Sequence, residues 1–397
     1  MLARMNIDPQ LHDWTPEFAA WRQDFHAHPE IAYQEHRTAA LVAERLASFG
    51  IEVTTGVGGT GVVGTLRGGR SSAGGNRAIA LRADMDALPM DEANDLPYKS
   101  QNPGRMHACG HDGHTTMLLA AARYLAATRD FAGTIHFIFQ PAEEGGAGAL
   151  RMIEDGLLER FPFDAVFGAH NDPTLPVGAI SASTGTVHGA TDDFVIRLTG
   201  RGGHAARPHA AIDPIVAGAQ IVLGLQSIVS RRVDPLESAV VSICTFHAGS
   251  ATNVIPEIAT LSGTVRNLTP ANQVRLAREI PELIGHLARA AGVEAEVDYQ
   301  SGYPPVVNDG AMAGVVARAA GAVVGAANVH TTLPPTLGGE DFAYYAMQRP
   351  GCFFRIGQAD GEKGAMPLHH PRYDFNDAIL PVGAAVFASI AASELPG

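Results

Sequence analysis

Cysteine is scarce in this chain, charge is low, and there is no basic surplus. Only Cys109, Cys244 and Cys352 occur in 397 residues. An odd, sparse set does not make a disulfide framework, so a stapled secreted scaffold is excluded and a reducing compartment fits. Charged residues make up 17% and hydrophobic residues 46%, the balance of an ordinary globular protein with a large core. Lysine and arginine number 28 against 41 aspartates and glutamates, for a net charge of −13. A negative chain without a basic stripe argues against nucleic acid or an anionic membrane as its main partner. No run approaches the roughly 18 apolar residues of a spanning helix. The N-terminal stretch MLARMNIDPQLHDWTPEF has no apolar core and carries Asp8, Asp13 and Glu17, which is not the pattern of a secretory leader. A cytoplasmic protein is expected.

What is present is an alternation of strand-like and helix-like segments. The length predicts two domains. Residues 15–49 read as helical with a break at Pro29. Short β-like runs follow at 51–55, 61–68 and 78–85, with GVGGTGVVG at 56–64 read as a hairpin and SSAGGN at 71–76 as a loop. GHTTMLLAAARYLAA at 113–127 predicts a helix buried on both sides. TIHFIFQ at 134–140 and DAVFGAH at 164–170 are continuous apolar strands of the kind found inside a sheet. A helix is read at 147–158. This is an α/β pattern. From about residue 187 to 300 the order becomes strand 192–199, helix 213–229, strands 238–247 and 256–266, helix 271–291, strand 293–300. That is the ferredoxin-like β-α-β-β-α-β order, of a length suited to an inserted domain. The chain then returns to α/β character with helix 310–325, strand 352–357 and helix 377–394. The reading is a discontinuous α/β domain, 1–186 with 301–397, carrying an inserted α+β domain at 187–300.

The chemistry concentrates at the carboxyl ends of the strands, where open α/β sheets collect ligands. Strand 79–83 runs into Asp84 and Asp86, strand 134–140 into Glu143 and Glu144, and strand 164–169 into His170. The segment MHACGHDGHTTM at 106–117 places Cys109 and His111 before a helix, with His107, Asp112 and His114 beside them. A helix N-terminus favours a thiolate. Thiolate, imidazoles and carboxylates are what a divalent transition metal selects, and an adjacent glutamate offers a general base. Metal-assisted hydrolysis is therefore expected. His369 and His370, in MPLHHPRYDFND, are further candidates between which the spacing does not choose. GRGGHAARPHAAIDP at 200–214 lacks the Gly-Lys-Ser/Thr of a phosphate loop. A nucleophilic Cys109 would need one histidine and an orienting group, not paired glutamates and several extra histidines.

These segments resemble the M20 metallopeptidase family, in its amidohydrolase branch of hippurate hydrolases, N-acyl-amino-acid hydrolases and auxin-conjugate hydrolases. The resemblance is carried by RADMDALPM (82–90), MHACGHDGHTTMLL (106–119), FQPAEEGGAGA (139–149), GAHNDPTLPVG (168–178), GRGGHAARPH (200–209), ATNVIP (251–256), GTVRN (263–267), GGEDFAYY (338–345) and LHHPRYDFND (368–377), in family order across nearly the whole chain. Where many relatives carry His-x-Asp, this chain has Asp84-Met85-Asp86, and Cys109 stands in place of a bridging aspartate.

The resemblance implies two divalent metal ions per subunit, Mn or Zn with Co or Ni as alternatives, held by Cys109, His111, Glu144, His170 and His369. Glu143 would be the general base and acid, and Asp86 would orient a ligand. The smaller domain would be a lid that also makes homodimers or higher homo-oligomers. His204 would reach the partner subunit's site and steady the oxyanion, and Asn253 and Arg266 would lie near a small-molecule substrate. The implied reaction is hydrolysis of an N-acyl amino acid, hippurate-like or another aromatic or aliphatic conjugate, to a carboxylic acid and a free amino acid. The alternatives are a dipeptidase or N-carbamoyl-amino-acid hydrolase of the same family, and a non-catalytic metal-binding protein.

Overall fold

The computed structural model describes residues 5–71 and 76–397. Most of the loop read at 71–76, and the first four residues of the N-terminal stretch, lie outside the described residues. The chain forms two compact units. One comprises Met1–Gly185, Val307–Pro334 and Asp341–Gly397, the other Thr186–Val306 and Pro335–Glu340.

The first unit is α/β, built on an eight-stranded mixed sheet. In spatial order its strands are Glu52–Val57, Gly61–Arg67, Thr134–Gln140, Ala78–Asp84, Ala165–Pro176, Gly351–Ala359, Ile180–Ser181 and Val329–His330. The unbroken apolar run TIHFIFQ is buried at every position, as a strand covered on both faces requires. It lies parallel to Ala78–Asp84, which lies parallel to Ala165–Pro176, and Asp84 pairs with Gln140. The ends of Thr134–Gln140 and Ala78–Asp84 therefore open at the same edge; the third strand was expected to end at His170 but runs on past it to Pro176. The hairpin read at 56–64 joins the first two strands, antiparallel.

Helices His111–Thr128 and Leu380–Glu394 pack on this sheet and on each other. A Cβ at Gly383 would lie 2.1 Å from Met117 Sδ, so glycine permits their close approach. The helical stretch before the sheet is two helices, Thr15–Ala27 and His36–Ser48. Residues 28–35 between them form an irregular connection. The helix read at 147–158 ends at Glu154, and the chain re-enters a short helix at Leu157 after Gly156 adopts φ +81°.

The second unit carries a four-stranded antiparallel sheet ordered Ala239–Ala248, Ile258–Asn267, Ala190–Thr199, Glu294–Ser301. Strand Ala190–Thr199 alternates buried and exposed positions, the mark of a sheet covered on one face. Helices Pro214–Arg232 and Pro270–Ala291 supply the cover. Leu276, Ile280, Ile284 and Ala288 are buried at i, i+4 spacing. Both helices begin with proline behind a capping side chain, Asp213 and Thr269.

Helices Pro214–Arg232 and Asp377–Glu394 are long and apolar enough to cross a membrane by length and composition. Neither holds an unbroken apolar run of that length: Gln220, Gln226, Ser227 and Ser230 interrupt the first, and Ser389 and Ser393 the second. The second of them is buried almost throughout from Leu380 to Ala391, as a core helix is.

Candidate metal centre

The chain enters the helix His111–Thr128 through Gly110, at φ +96°. A Cβ at this position would lie 2.3 Å from Asn171 Oδ1 and 2.6 Å from Tyr373 Oη. Only glycine lets the Cys109 loop sit against the His170 strand. Cys109 Sγ is consequently 3.4 Å from His170 Nε2. His369, at φ +61°, is tied in by its backbone N–H, which donates to the Ala108 carbonyl at 2.8 Å.

Donor atoms of Cys109, His111 and His170 lie within 4.8 Å of one another, and so do those of Cys109, Glu144 and His369. Cys109 is common to both sets. The spacing of His111, Glu143 and Glu144 meets the same limit. Of the two histidines at 369–370, the geometry selects His369.

The ring orientations suit metal ligands. His111 Nδ1 is 2.9 Å from the Asp86 carbonyl, and His170 Nδ1 is 2.7 Å from the Asn171 carbonyl. Each ring thus has one nitrogen committed to a backbone acceptor and the other directed at the cluster, as in ligating histidines. His111 Nε2 and Glu144 Oε1 are buried and make no hydrogen bond. Glu144 Oε1 lies 3.9 Å from His111 Nε2 and 3.3 Å from His369 Nε2. Two buried, opposed polar atoms without hydrogen bonds fit a cation between them.

The electrostatics agree. Burial alone would lower the His111 pKa, but Asp84, Asp86 and Glu144 raise it to about 10. The Cys109 thiol is pushed well above its ordinary value by burial and then by Glu144, Glu143 and Asp84. Burial and the neighbouring His114 hold His170 well below the usual imidazole range. Burial raises the Glu144 pKa, and His369 and His111 more than offset it. His111 and Cys109 could hold a divalent cation, which would take the place of the His111 proton and favour the Cys109 thiolate.

Support comes from a ring of buried groups. Asp86 accepts the backbone N–H of Glu143 through Oδ1 at 2.9 Å and that of Glu144 through Oδ2 at 3.0 Å. Asp84 was a ligand-type candidate at the sheet edge, but both its oxygens are engaged. Arg82 Nη1 donates to one at 2.7 Å, and His114 Nδ1 lies 2.7 Å from the other. His114 Nε2 is 2.7 Å from Asn171 Oδ1. Asp112 turns away to His26 Nδ1 at 2.8 Å and to Arg22 at 3.6 Å. The His107 ring lies tilted beside that of His26, centroids 6.3 Å apart. The Asp341 N–H donates to Glu143 Oε1 at 3.4 Å, and Asp341 also pairs with Arg82.

The other candidates lie in the second unit. His204 is exposed in a two-residue strand paired with Val254–Ile255, and the Asn253 carbonyl accepts the Ala205 N–H. Arg266 is half-buried on strand Ile258–Asn267 and donates to the carbonyls of Asp192 and Val265 and to Thr264 Oγ1. Arg22, His26, Glu35, Asn171, Asp341 and Tyr373 escaped the sequence reading. Asn171, Asp341 and Tyr373 stood inside segments that carried the resemblance; the others had no local signal.

A thiol, imidazoles and paired carboxylates at the carboxyl edge of an α/β sheet define a metallohydrolase. Comparison with known proteins gives the family. Residues 80–393 match peptidase family M20/M25/M40, and the chain belongs to that family as a metallo-amidohydrolase. It is 41% identical over 387 residues to a hippurate hydrolase of Campylobacter jejuni, covering 98% of this chain and 99% of the relative. It is 38% identical to an IAA-amino acid hydrolase of Arabidopsis thaliana, covering 98% and 87%. A solved dinuclear metal-binding M20 peptidase from Bacillus subtilis superposes with a TM-score of 0.80 at 35% identity, covering 96% and 98%.

Proposed function

We propose that this enzyme cleaves the amide bond of N-acyl amino acids, with hippurate-like and other aromatic or aliphatic acyl conjugates as the substrate class. The observation that carries the reading is the position of Glu143, 7% exposed, beside the Cys109, His111, Glu144, His170 and His369 cluster. The names of the hippurate and IAA-amino acid hydrolases support the same class.

The cluster would hold two divalent ions, Mn or Zn, with Co or Ni as alternatives. Such ions supply Lewis acidity, acidifying water and polarising an amide carbonyl. Glu143 takes a proton from the attacking water and returns it to the amine nitrogen as the C–N bond breaks. Atoms balance as amide plus water giving carboxylic acid plus amine. Asp86 holds the Glu143–Glu144 backbone and the His111 ring in register.

The second unit is proposed as a lid and homodimer contact. Ile215, Val216 and Leu223 on its helix Pro214–Arg232 are 40%, 54% and 74% exposed, an apolar face suited to a second copy. The partner subunit's His204 would steady the oxyanion, and Asn253 and Arg266 would contact the substrate, Arg266 through its carboxylate. The three cysteines, all free thiols, support a cytoplasmic setting.

The test is hydrolysis, read by mass spectrometry, of N-acetyl, N-benzoyl and indoleacetyl amino acids by chelated protein with Mn, Zn or Co restored. Metal-restored cleavage is expected. Protein that binds metal yet cleaves only dipeptides or N-carbamoyl amino acids would overturn the substrate class.

A further inference from the structure

The irregular connection between helices Thr15–Ala27 and His36–Ser48 carries no role in the reaction as described. Its residues nonetheless reach the loop that bears Glu143. Glu35 is wholly buried. Its Oε1 accepts the Ala142 N–H at 2.9 Å and the Tyr33 N–H at 3.0 Å, and its Oε2 accepts Thr60 Oγ1 at 2.5 Å. Tyr33 Oη donates to the Gly146 carbonyl at 2.7 Å. The same connection accepts the Ala87 N–H on the Glu30 carbonyl at 2.8 Å, one residue beyond Asp86.

The loop needs such support. Ala142 adopts φ +53° and Ala147 φ +53°, with Gly145 between them at φ +87°. An alanine in the left-handed region persists only where its surroundings over-determine it. Ala142 is fully buried, so its N–H requires an acceptor, and Glu35 is that acceptor. Tyr33 is itself at φ +61°. Two bonds thus enclose the Glu143–Glu144 pair, at Ala142 on one side and Gly146 on the other, while Asp86 holds the two amides between them.

We infer that Glu35 and Tyr33 are positioning residues for Glu143: they hold residues 142–146 in a strained conformation that sets the glutamate against the metal cluster. The inference rests on Glu143 as the proton carrier. Neither residue belongs to the proposed ligand set; both act through the loop backbone.

The test compares kcat, KM and bound metal under metal saturation. Glu35→Ala should lower kcat roughly 10- to 100-fold, the range of lost outer-shell support, with KM and metal content held. Glu35→Gln keeps an oxygen for the Ala142 N–H and should retain most of kcat. In an Ala142→Gly background the left-handed conformation carries no steric cost, so Glu35→Ala should lower kcat less than it does beside Ala142. Equal losses in both backgrounds would overturn the inference, as would a Glu35→Ala defect that excess metal cures or a Glu35→Gln defect as large as that of Glu35→Ala. Tyr33→Phe removes only a hydroxyl and carries the test if Glu35→Ala does not fold; it should lower kcat at constant metal, and an unchanged kcat would then refute the role. Glu143→Gln separates the two readings. If it keeps turnover, the proton-carrier assignment fails. If it abolishes turnover while Glu35→Ala and Tyr33→Phe leave kcat intact, only the positioning inference fails.

Discussion

His111 and Asp86 meet twice. His111 Nδ1 lies 2.9 Å from the Asp86 carbonyl and 3.4 Å from its Oδ1. This fixes the ring and directs Nε2 toward Glu144. Because the carboxylate field raises the His111 pKa to about 10 and burial with acidic neighbours raises that of Cys109, both carry protons when metal-free at neutral pH. If both are ligands, as proposed, metal must displace those protons, so affinity should rise with pH from 6 to 9. Competition titration against a chelator, with proton release followed in parallel, measures this. A flat profile would show that neither group is a ligand. Cys109→Ala should lower metal content by elemental analysis.

Glu143→Ala should keep its metal and lose roughly 10²- to 10⁴-fold in kcat, the range for general acid–base catalysis. Elemental analysis beside steady-state kinetics checks both halves. Loss of metal in proportion to activity would reassign Glu143 as a ligand.

The segments that carry the proposed ligands were legible because each follows a strongly apolar run or begins a helix, and the sheet brings those points together whatever lies between; His170 lies inside its strand, which continues to Pro176. Cys109, His111, Glu143, Glu144 and His170 needed only that rule. Asp84 passed the same test, yet its oxygens serve Arg82 and His114, because strand-end position does not reveal what a carboxylate faces. Glu35 was invisible for a different reason. Its partner Ala142 is 107 residues away, and a side chain bonded to a backbone amide leaves no complementary residue type to find. The β-α-β-β-α-β order of the second unit followed from periodicity alone.

His26 links helix Thr15–Ala27 to Asp112 at the start of helix His111–Thr128. Burial would lower its pKa, but hydrogen bonds to Asp112 and Glu92 raise it to about 9. Its folded value thus exceeds the unfolded value of about 6.5. The stabilisation is complete below about pH 6.5 and is lost as pH rises through about 9. Urea melts of metal-saturated protein at pH 6.5, 8 and 9.5 should show this decline, and His26→Gln should remove that part of the slope. Identical slopes in the two proteins would exclude His26 as the titrating group.

The proposed sharing of a site between subunits has a sharper test than any single substitution. His204 sits in the second unit on an exposed two-residue strand, and a lone His204→Ala defect could reflect substrate binding or the loop itself. If each site combines Glu143 of one chain with the partner subunit's His204, both parent homodimers, Glu143→Ala and His204→Ala, should be inactive. A mixed dimer of the two then places both substitutions in one site and leaves the other site intact. Co-expressed, differently tagged chains purified through both tags should therefore regain turnover at metal content equal to that of the parents. Because no single chain carries both intact residues, recovery requires contributions across the interface. A mixed dimer as inactive as its parents would confine His204 to its own subunit or remove it from the reaction.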